Sequence, residues 1–280
     1  MICQWQDFLN VVPLRLRGVV DKQYCDSLQE LRMRVGLPPT LVLQNKKIWL
    51  DTTATTDDLM FTINAASEYS PWAAETISSG YITASGGHRV GVCGTAVVKY
   101  CQICGMRNPS SVCIRVARDF DGISKEIQCS SHSLLILGRP GSGKTTLLRD
   151  IIRMRSDKFN ECVSVVDERG EIFPKTQKGF CFQTGRNTDV ITGCCKKVGI
   201  NSVLKCMNPD TIAVDEITEN DDCSALIQAG WCGVNLIATA HAENVKDLHS
   251  RPVYKSLVLT KLFENAIVLN RDKTWTLERI

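Results

Sequence analysis

The chain lacks any apolar run approaching the ~20 residues that a helix needs to cross a bilayer. Residues 1–7 have neither a basic start nor an apolar core, so they do not form a secretory signal. Net charge is only +3 over 280 residues, and neither half has the basic excess that is typical of a nucleic-acid-binding surface. We therefore expect a cytoplasmic protein without direct membrane insertion, for which nucleic acid is not the expected partner.

Cysteine is abundant, with 14 residues, but the paired C-x-x-C elements that are typical of a zinc site are missing. The nearest approach is the set Cys93, Cys101, Cys104 and Cys113, which contains one such element. Cytoplasmic cysteines are kept as thiols, which often pack like small apolar residues. The sequence leaves both interpretations of these four residues open, as metal ligands or as ordinary thiols.

The most informative segment present is 138–145, which fits the phosphate-loop pattern G-x-x-x-x-G-K-[ST] in full. The apolar run 134–137 precedes it, and apolar residues at helical spacing follow it over 147–152. A strand therefore leads into the loop and a helix leaves it, which is the context that this motif requires.

The residue types of this loop suit the binding of a nucleoside triphosphate. Gly138, Gly141 and Gly143 let the backbone curl so that successive N–H groups point at phosphate oxygens. Lys144 supplies charge for the β- and γ-phosphates, and the Thr145 hydroxyl suits Mg²⁺. The expected cofactors are ATP and Mg²⁺. The predicted nucleotide-binding residues are Gly138, Arg139, Pro140, Gly141, Ser142, Gly143, Lys144, Thr145 and Thr146.

A second acidic element is expected near such a loop, and Asp215 and Glu216 end the apolar segment 210–215. Parallel strands deliver their carboxyl ends to the ligand crevice. We predict that Asp215 holds Mg²⁺ and that Glu216 is the general base for the attacking water. Successive strand residues point to opposite faces, so the two side chains need different roles.

Another predicted strand, 162–167, ends in Asp167 and Glu168. These carboxylates either help to order Mg²⁺ and water or form a surface ion cluster with Arg169, and both interpretations stay open. Strand 234–240 carries Thr239 and ends at His241, which would lie beside the catalytic carboxylates if the strands are neighbours.

Phosphoryl transfer usually needs one more positive charge on the γ-phosphate. Arg186 and Arg89 are the two candidates. If either one acts from a neighbouring subunit, the protein must assemble as a ring.

The second half alternates strands and helices, which favours a parallel sheet. It ends in a predicted antiparallel hairpin, 266–269 with 274–277. The front half is mixed, with a predicted helix over 21–35 and glycine-rich β structure over 80–94. We predict an α/β protein with two domains, a smaller mixed α+β domain at 1–130 and a nucleotide-binding domain at 131–280.

Taken together, these segments resemble the stage III sporulation protein AA family over residues 31–269. The segments that carry the resemblance are 86–91, 138–150, 165–169, 188–190, 214–217 and 238–242. That family is similar to the type II and type IV secretion ATPases, which are hexameric motors with a RecA-like domain behind an N-terminal domain.

The resemblance implies a cytoplasmic ATPase of the mother cell in a spore-forming bacterium. It implies a hexameric ring that powers a channel between mother cell and forespore and docks on membrane proteins of that channel. Asp167 and Glu168 fall at the acidic box of the secretion motors, and His241 falls at the second histidine of their histidine box. Two other functions stay open, a nucleic-acid-handling P-loop ATPase and a structural adaptor that binds nucleotide without turnover.

Overall fold

A computed structural model describes residues 3–20, 24–43, 46–68, 80–127, 132–176, 179–270 and 272–280. The chain divides into two compact units. The first contains Met1–Asp119 and Pro174–Phe182, and the second contains Phe120–Phe173 and Gln183–Ile280. The predicted boundary at 130/131 lies in residues 128–131, outside the described ones, and stays a prediction. Nothing in the sequence predicts that 174–182 clusters with the first unit.

The regular elements are as follows. The strands are β1 (Leu28–Arg34), β2 (Thr40–Leu43), β3 (Lys47–Trp49), β4 (Tyr81–Thr83), β5 (Arg89–Lys99), β6 (Gln102–Arg115), β7 (Leu134–Gly138), β8 (Val163–Asp167), β9 (Lys175–Thr176), β10 (Gly179–Phe180), β11 (Thr188–Thr192), β12 (Thr211–Ile217), β13 (Asn235–Ala240), β14 (Asn265–Leu269) and β15 (Trp275–Arg279). The α-helices are α1 (Trp5–Val11), α2 (Leu14–Arg17), α3 (Thr56–Ala66), α4 (Lys144–Lys158), α5 (Lys196–Cys206), α6 (Asn220–Trp231), α7 (Val245–Ser250) and α8 (Lys255–Thr260).

The first unit is built on an antiparallel sheet of six strands in the order β3-β2-β1-β6-β5-β4. Helix α3 starts at a capping box, in which the Thr55 hydroxyl accepts from the Asp58 N–H and the Asp58 carboxylate accepts from the Thr55 N–H. The apolar runs 41–43 and 48–50 on either side of 44–47 predict a hairpin, and the antiparallel pairing of β2 and β3 confirms it, although residues 44 and 45 lie outside the described ones. The sequence also predicts one or two helices over 57–79; α3 forms the first part of this stretch, and residues 69–79 lie outside the described ones.

Strand β1 replaces the helix that the sequence predicts over 21–35. Leu28 and Leu31 lie three residues apart, which is a helical spacing, yet both are fully buried in the core of the sheet. The pairing register with β2 shifts between Leu28 and Glu30. A bulge adds one residue to a strand, so side chains three apart can share a face. The helix prediction is wrong because a bulged strand imitates the helical period.

The glycine-rich stretch over 80–94 is confirmed as β structure, with a tight turn at Ser85–Gly87. Gly86 has φ +72°, and a Cβ there would lie 2.9 Å from His88 Nε2. His88 is buried. Its Nδ1 accepts from the Ala117 N–H at 3.1 Å, and its Nε2 faces the Gln4 carbonyl at 3.1 Å. This histidine therefore holds the turn in place.

The second unit is built on seven strands in the order β11-β8-β12-β13-β7-β14-β15. All neighbours are parallel except β14 and β15, which form the predicted terminal hairpin. The four strands predicted at 133–138, 162–167, 210–215 and 234–240 are confirmed as β7, β8, β12 and β13. Neither strand β11 nor the parallel pairing of β14 with β7 is predicted from the sequence.

The strand order decides which side chains can meet at the carboxyl edge of this sheet. Strands β7 and β12 are not neighbours, because β13 lies between them, while β14 lies on the other side of β7. The four central strands β7, β8, β12 and β13 are almost wholly buried and apolar up to their carboxyl ends. Polar groups at those ends therefore converge at one edge, which is the usual ligand crevice of an open parallel sheet.

Candidate functional site

The phosphate loop joins the end of β7 at Gly138 to the start of α4 at Lys144. A Cβ on Gly138 would lie 2.5 Å from Ser142 Oγ and 3.1 Å from the Leu269 carbonyl oxygen, so no larger residue fits. Gly141 and Gly143 have φ of +76° and +105°, a conformation that glycine adopts readily. The three glycines therefore shape a concave loop at a helix N-terminus, where backbone N–H groups lack helical partners.

One buried polar atom of the loop fits an absent ligand. Ser142 is buried, and its Oγ has no hydrogen-bond partner in the described part of the chain. Such an orphaned group is costly unless something else satisfies it. Together with the glycine cradle, it indicates that this loop is shaped for a phosphate-bearing ligand.

The Lys144 ammonium group folds back over this loop. Its Nζ donates to the carbonyl oxygens of Gly138 at 2.9 Å and Arg139 at 3.2 Å, and it lies 3.0 Å from His241 Nδ1. These three acceptors match its three N–H donors. Burial lowers the pKa of Lys144, and the nearby charges of Asp215 and Glu216 oppose that shift. A phosphate oxygen would therefore have to replace one of the present acceptors.

Asp215 lies where the end of β12 meets the start of α4. Thr145 Oγ1 donates to its Oδ2 at 2.7 Å, and Thr239 Oγ1 donates to its Oδ1 at 2.5 Å. The pair of Thr145 and Asp215 presents hard oxygen atoms beside the phosphate loop. This donor chemistry fits Mg²⁺, which prefers such ligands together with phosphate oxygens.

A bulge at the end of β12 turns Glu216 into the same site as Asp215. The register with β13 shifts between Val214 and Ile217, and Glu216 has φ +49°. Bulges re-aim side chains, and a left-handed non-glycine residue carries strain that concentrates at functional sites. The expectation that the two side chains point apart is wrong here, because the extra residue breaks the strict alternation.

Thr239 of β13 fastens the bulge. Its hydroxyl accepts from the Glu216 N–H at 2.8 Å while it donates to Asp215. The neighbouring position of β12 and β13, on which the sequence prediction for Thr239 and His241 depended, is confirmed by the sheet order. One buried hydroxyl thus orders both carboxylates at the strand end.

His241 links the phosphate-loop lysine to Glu216. Its Nε2 makes a very short hydrogen bond to Glu216 Oε1, while Nδ1 faces Lys144 Nζ. Because an ammonium group has no lone pair, Nδ1 accepts and Nε2 therefore carries the proton. The second Glu216 oxygen pairs with Arg169 Nη1 at 3.0 Å. Burial would raise the pKa of Glu216, but His241, Arg169 and Lys144 together hold it below its usual value.

Asp167 and Glu168 lie at the end of β8 with other partners. Asp167 accepts from the backbone N–H groups of Glu171, Ile172 and Phe173 at 2.9, 3.0 and 2.9 Å. Burial raises its pKa despite these donors. Glu168 pairs with Lys196 Nζ at 2.7 Å. Their carboxylates therefore order the loop after β8 in this structure, and a role in holding Mg²⁺ stays a prediction.

The two candidate arginines lie apart from this cluster or in the other unit. Arg186 immediately precedes β11, at the amino edge of the parallel strands, whereas the site is at their carboxyl edge. Five residues at about 3.3 Å each separate the two edges, so Arg186 does not act on its own chain's site. Arg89 belongs to the first unit, where its guanidinium lies 3.6 Å from the Tyr81 ring centroid. Action of either one on a neighbouring subunit stays a prediction.

Arg169 and Lys273 are the charged residues of the site whose contacts the sequence did not predict. Lys273, in the turn between β14 and β15, donates to the Gly141 carbonyl at 2.7 Å. Arg139 of the loop pairs with Glu243 at 2.5 Å. The only sequence signal for Lys273 is its place after a strand, and nothing in the sequence identifies that strand as the neighbour of β7.

The described residues contain no cluster of three or more histidine, cysteine or acidic side chains placed to hold a metal ion. The register of β5 and β6 explains this for the cysteines. Cys93 pairs with Ser111, while Cys101 lies in the turn after Lys99. Six residues of strand span roughly 20 Å, so the four cysteines do not converge. No described helix has both the length and the apolar character needed to span a membrane.

Comparison with known proteins decides the family. Residues 3–277 match the model of the family described as Sporulation stage III, protein AA. The chain belongs to this family. Stage III sporulation protein AA of Bacillus subtilis (strain 168) is 33% identical over 280 residues, which are 95% of this chain and 91% of that protein. A more distant relative, the uncharacterized protein ycf45 of Cyanidium caldarium, is 28% identical over 182 residues, 59% of this chain and 52% of its own length.

Solved structures similar to this member of the stage III sporulation protein AA family include an ATPase and a pilus retraction motor. The ATPase DotB of Legionella pneumophila has a TM-score of 0.60 at 16% identity, covering 96% of this chain and 80% of its own. The pilus retraction motor PilT with bound ADP has a TM-score of 0.61 at 13% identity, covering 89% and 77%. The predicted fold class, a RecA-like P-loop core preceded by a smaller α+β region, is confirmed.

Proposed function

We propose that this protein is a Mg²⁺-dependent ATPase that energises a channel complex between mother cell and forespore during sporulation. The observation that carries the proposal is the convergence of three groups at one strand edge. These are the phosphate-loop residue Lys144, the Mg²⁺-type pair of Thr145 and Asp215, and the ionised carboxylate of Glu216. A loop that only bound nucleotide would not need a strained carboxylate held beside the lysine.

Each of these residues has a separate role in phosphoryl transfer. Lys144 exchanges His241 for a phosphate oxygen and stabilises the charge on the β- and γ-phosphates. Mg²⁺, held by Thr145 and Asp215, would supply further charge neutralisation. Glu216 polarises a water whose oxygen attacks the γ-phosphorus. As the bond to the β-bridging oxygen breaks, the water's proton passes to the Glu216 carboxylate and ADP leaves.

The lowered pKa of Glu216 suits this role, because a base must be unprotonated at neutral pH. Access for water is available as well. An open pocket lies beside Glu216. Its lining is mostly acidic and consists of Asp167, Glu168, Arg169, Glu171, Lys196, Asp215 and Glu216. His241, which contacts both Lys144 and Glu216, is in a position to couple the state of the γ-phosphate to the base.

The test is phosphate release from ATP with and without Mg²⁺ for the wild type and two variants. We expect Lys144→Ala to lose nucleotide binding. Glu216→Gln should keep binding and lose about 10²–10⁴-fold in turnover, the usual contribution of a general base. Lys205→Ala and Glu264→Gln, which make similar changes at exposed sites, are the matched controls. Absence of Mg²⁺-dependent release from the wild type, or unchanged rates in both variants, would refute the enzyme proposal.

We also propose that the active form is a homo-oligomeric ring, a hexamer like those implied for the secretion motors. We propose that this ring docks at the cytoplasmic face of the mother-cell membrane through membrane proteins of the channel. The support is the family membership and the fold shared with secretion and pilus ATPases. Mass measurement with and without a non-hydrolysable ATP analogue tests the ring. A strict monomer in both conditions would exclude it.

A further inference from the structure

The turn between β14 and β15 places a second lysine on the phosphate loop. Lys273 Nζ donates to the Gly141 carbonyl oxygen at 2.7 Å and lies 3.9 Å from the position that a Cβ on Gly143 would take. The turn is fixed by its own hydrogen bonds: Thr274 donates twice to Asp272 Oδ1, and the Asn270 N–H donates to the Thr274 carbonyl at 2.9 Å. The contact therefore joins two ordered segments that are 132 residues apart in sequence.

The backbone of Lys273 indicates that this placement is built in. Its φ is +73°, in the left-handed region that is strained for a non-glycine residue. Glycine or asparagine would avoid most of that strain at such a turn position. Burial also lowers the pKa of Lys273, which is what partial removal of an ammonium group from water does.

The strand order shows which end of the phosphate chain this lysine faces. Three residues suit the γ-phosphate and its water: Asp215 and Glu216 near the end of β12, and His241 just after β13. Both strands lie on one side of β7. Lys273 comes from the hairpin that begins with β14, on the opposite side of β7. A triphosphate whose γ end lies among those three residues leaves its nucleoside end towards β14.

We propose that Lys273 is a positioning residue for the nucleoside diphosphate part of the ligand. It holds the Gly141 segment in the form that binds phosphate and lines the nucleoside side of the site, so it supports ADP and ATP equally and does not take part in the hydrolytic step. This inference rests on the proposed nucleotide-binding function, but it concerns affinity and not turnover.

The test compares Lys273→Asn with the wild type in direct binding of ADP and of a non-hydrolysable ATP analogue. Asparagine tolerates the left-handed backbone, so the change removes the ammonium group without adding strain. We expect Kd to rise about tenfold for both ligands, the scale of one lost charge-assisted hydrogen bond. In turnover assays KM should rise while kcat stays within about twofold, and Lys273→Arg should restore part of the affinity.

Lys261→Asn is the matched control, because Lys261 is also an exposed lysine with positive φ, +52°, but it caps α8. It should bind both ligands like the wild type. The proposal is overturned if Lys273→Asn keeps wild-type affinity, if only the ATP analogue binds more weakly, or if kcat falls with KM unchanged. A wild type that binds ADP but releases no phosphate would refute the proposed hydrolysis and still leave this comparison decisive. A wild type that binds neither ligand would overturn both proposals.

Discussion

Replacing Thr239 by valine removes a single buried hydroxyl at nearly constant volume and tests whether the bulge at the end of β12 creates the active geometry. Thr239 is fully buried. Its hydroxyl donates to Asp215 Oδ1 at 2.5 Å and accepts from the Glu216 N–H at 2.8 Å. Valine can do neither, and it leaves both groups unsatisfied next to a residue with φ +49°.

The expected magnitude follows from these two bonds. A hydrogen bond to a charged group contributes about 1.5–3 kcal/mol, and an unsatisfied buried N–H costs about 1–3 kcal/mol. The two effects share one site and will not add in full. We therefore expect Thr239→Val to lower the free energy of unfolding by about 3 kcal/mol. We also expect kcat to fall at least tenfold, which corresponds to about 1.4 kcal/mol in the barrier, because Glu216 is no longer held in place.

The assay pairs this variant with Thr211→Val. Thr211 is also fully buried, and it lies at the start of β12, the opposite end of that strand from the bulge. Its hydroxyl donates to Glu161 at 2.7 Å and accepts from Arg155 at 3.0 Å, so its loss removes a comparable pair of bonds. Both variants should unfold at lower urea concentration, whereas only Thr239→Val should lose turnover. Thr239→Ser, which keeps the hydroxyl, should retain most of the activity.

The reasoning is refuted if both valine variants lose similar stability and Thr239→Val still turns over ATP within twofold of the wild type. The geometry of Glu216 would then not depend on the hydroxyl. Equal losses of kcat in both variants would also contradict it, because a general loosening of the sheet would explain the result.

Two further predictions concern stability. Gly94→Ala should lower the free energy of unfolding in urea by about 1–3 kcal/mol, because the new Cβ would lie 2.6 Å from the Arg107 carbonyl oxygen. The control Gly105→Ala, in the same hairpin, meets nothing within 4 Å and should change stability by less than about 0.5 kcal/mol. Equal effects of the two substitutions would contradict this packing argument. Buried Asp150 accepts from the Ser124 N–H and Oγ at 2.7 Å each, and these bonds, against the opposing effect of burial, lower its pKa. The stabilisation by the Asp150 carboxylate is therefore present above its unfolded-state pKa of about 3.9 and is lost as pH falls through its folded-state pKa. Asp150→Asn should be less stable than the wild type by about 2 kcal/mol at pH 7. This difference in the free energy of unfolding should close in unfolding curves measured below about pH 4.

The parts of the site that follow from local rules were predictable from the sequence. A phosphate loop needs glycines, a lysine and a hydroxyl at fixed spacing, so residues 138–145 identify their own strand and helix. Asp215 and Glu216 were predicted in the same way, because an apolar strand ending in carboxylates delivers them to the crevice. The prediction that Thr239 and His241 lie beside them depended only on neighbouring strands.

What the sequence did not show depends on register and strand order. Nothing in the residues around Glu216 predicts a bulge, because the hydroxyl that bonds the bulged residue belongs to Thr239 on another strand. Lys273 contacts the loop only because β14 pairs with β7, a long-range choice made by the whole sheet. The helix prediction from Leu28 and Leu31 failed for a similar reason, since a shift in the pairing with β2 gives their buried side chains a spacing of three residues.

Under the proposed ATPase function, the chain of contacts from Lys144 through His241 to Glu216 would make both ends of this site depend on the γ-phosphate. While Lys144 donates to Nδ1, the ring holds its proton on Nε2 and donates it to Glu216. A phosphate oxygen that replaces Nδ1 as the acceptor of Lys144 frees the imidazole to turn or to bind the γ-phosphate itself. The Glu216 carboxylate then loses a donor at the moment when a water needs it as an acceptor.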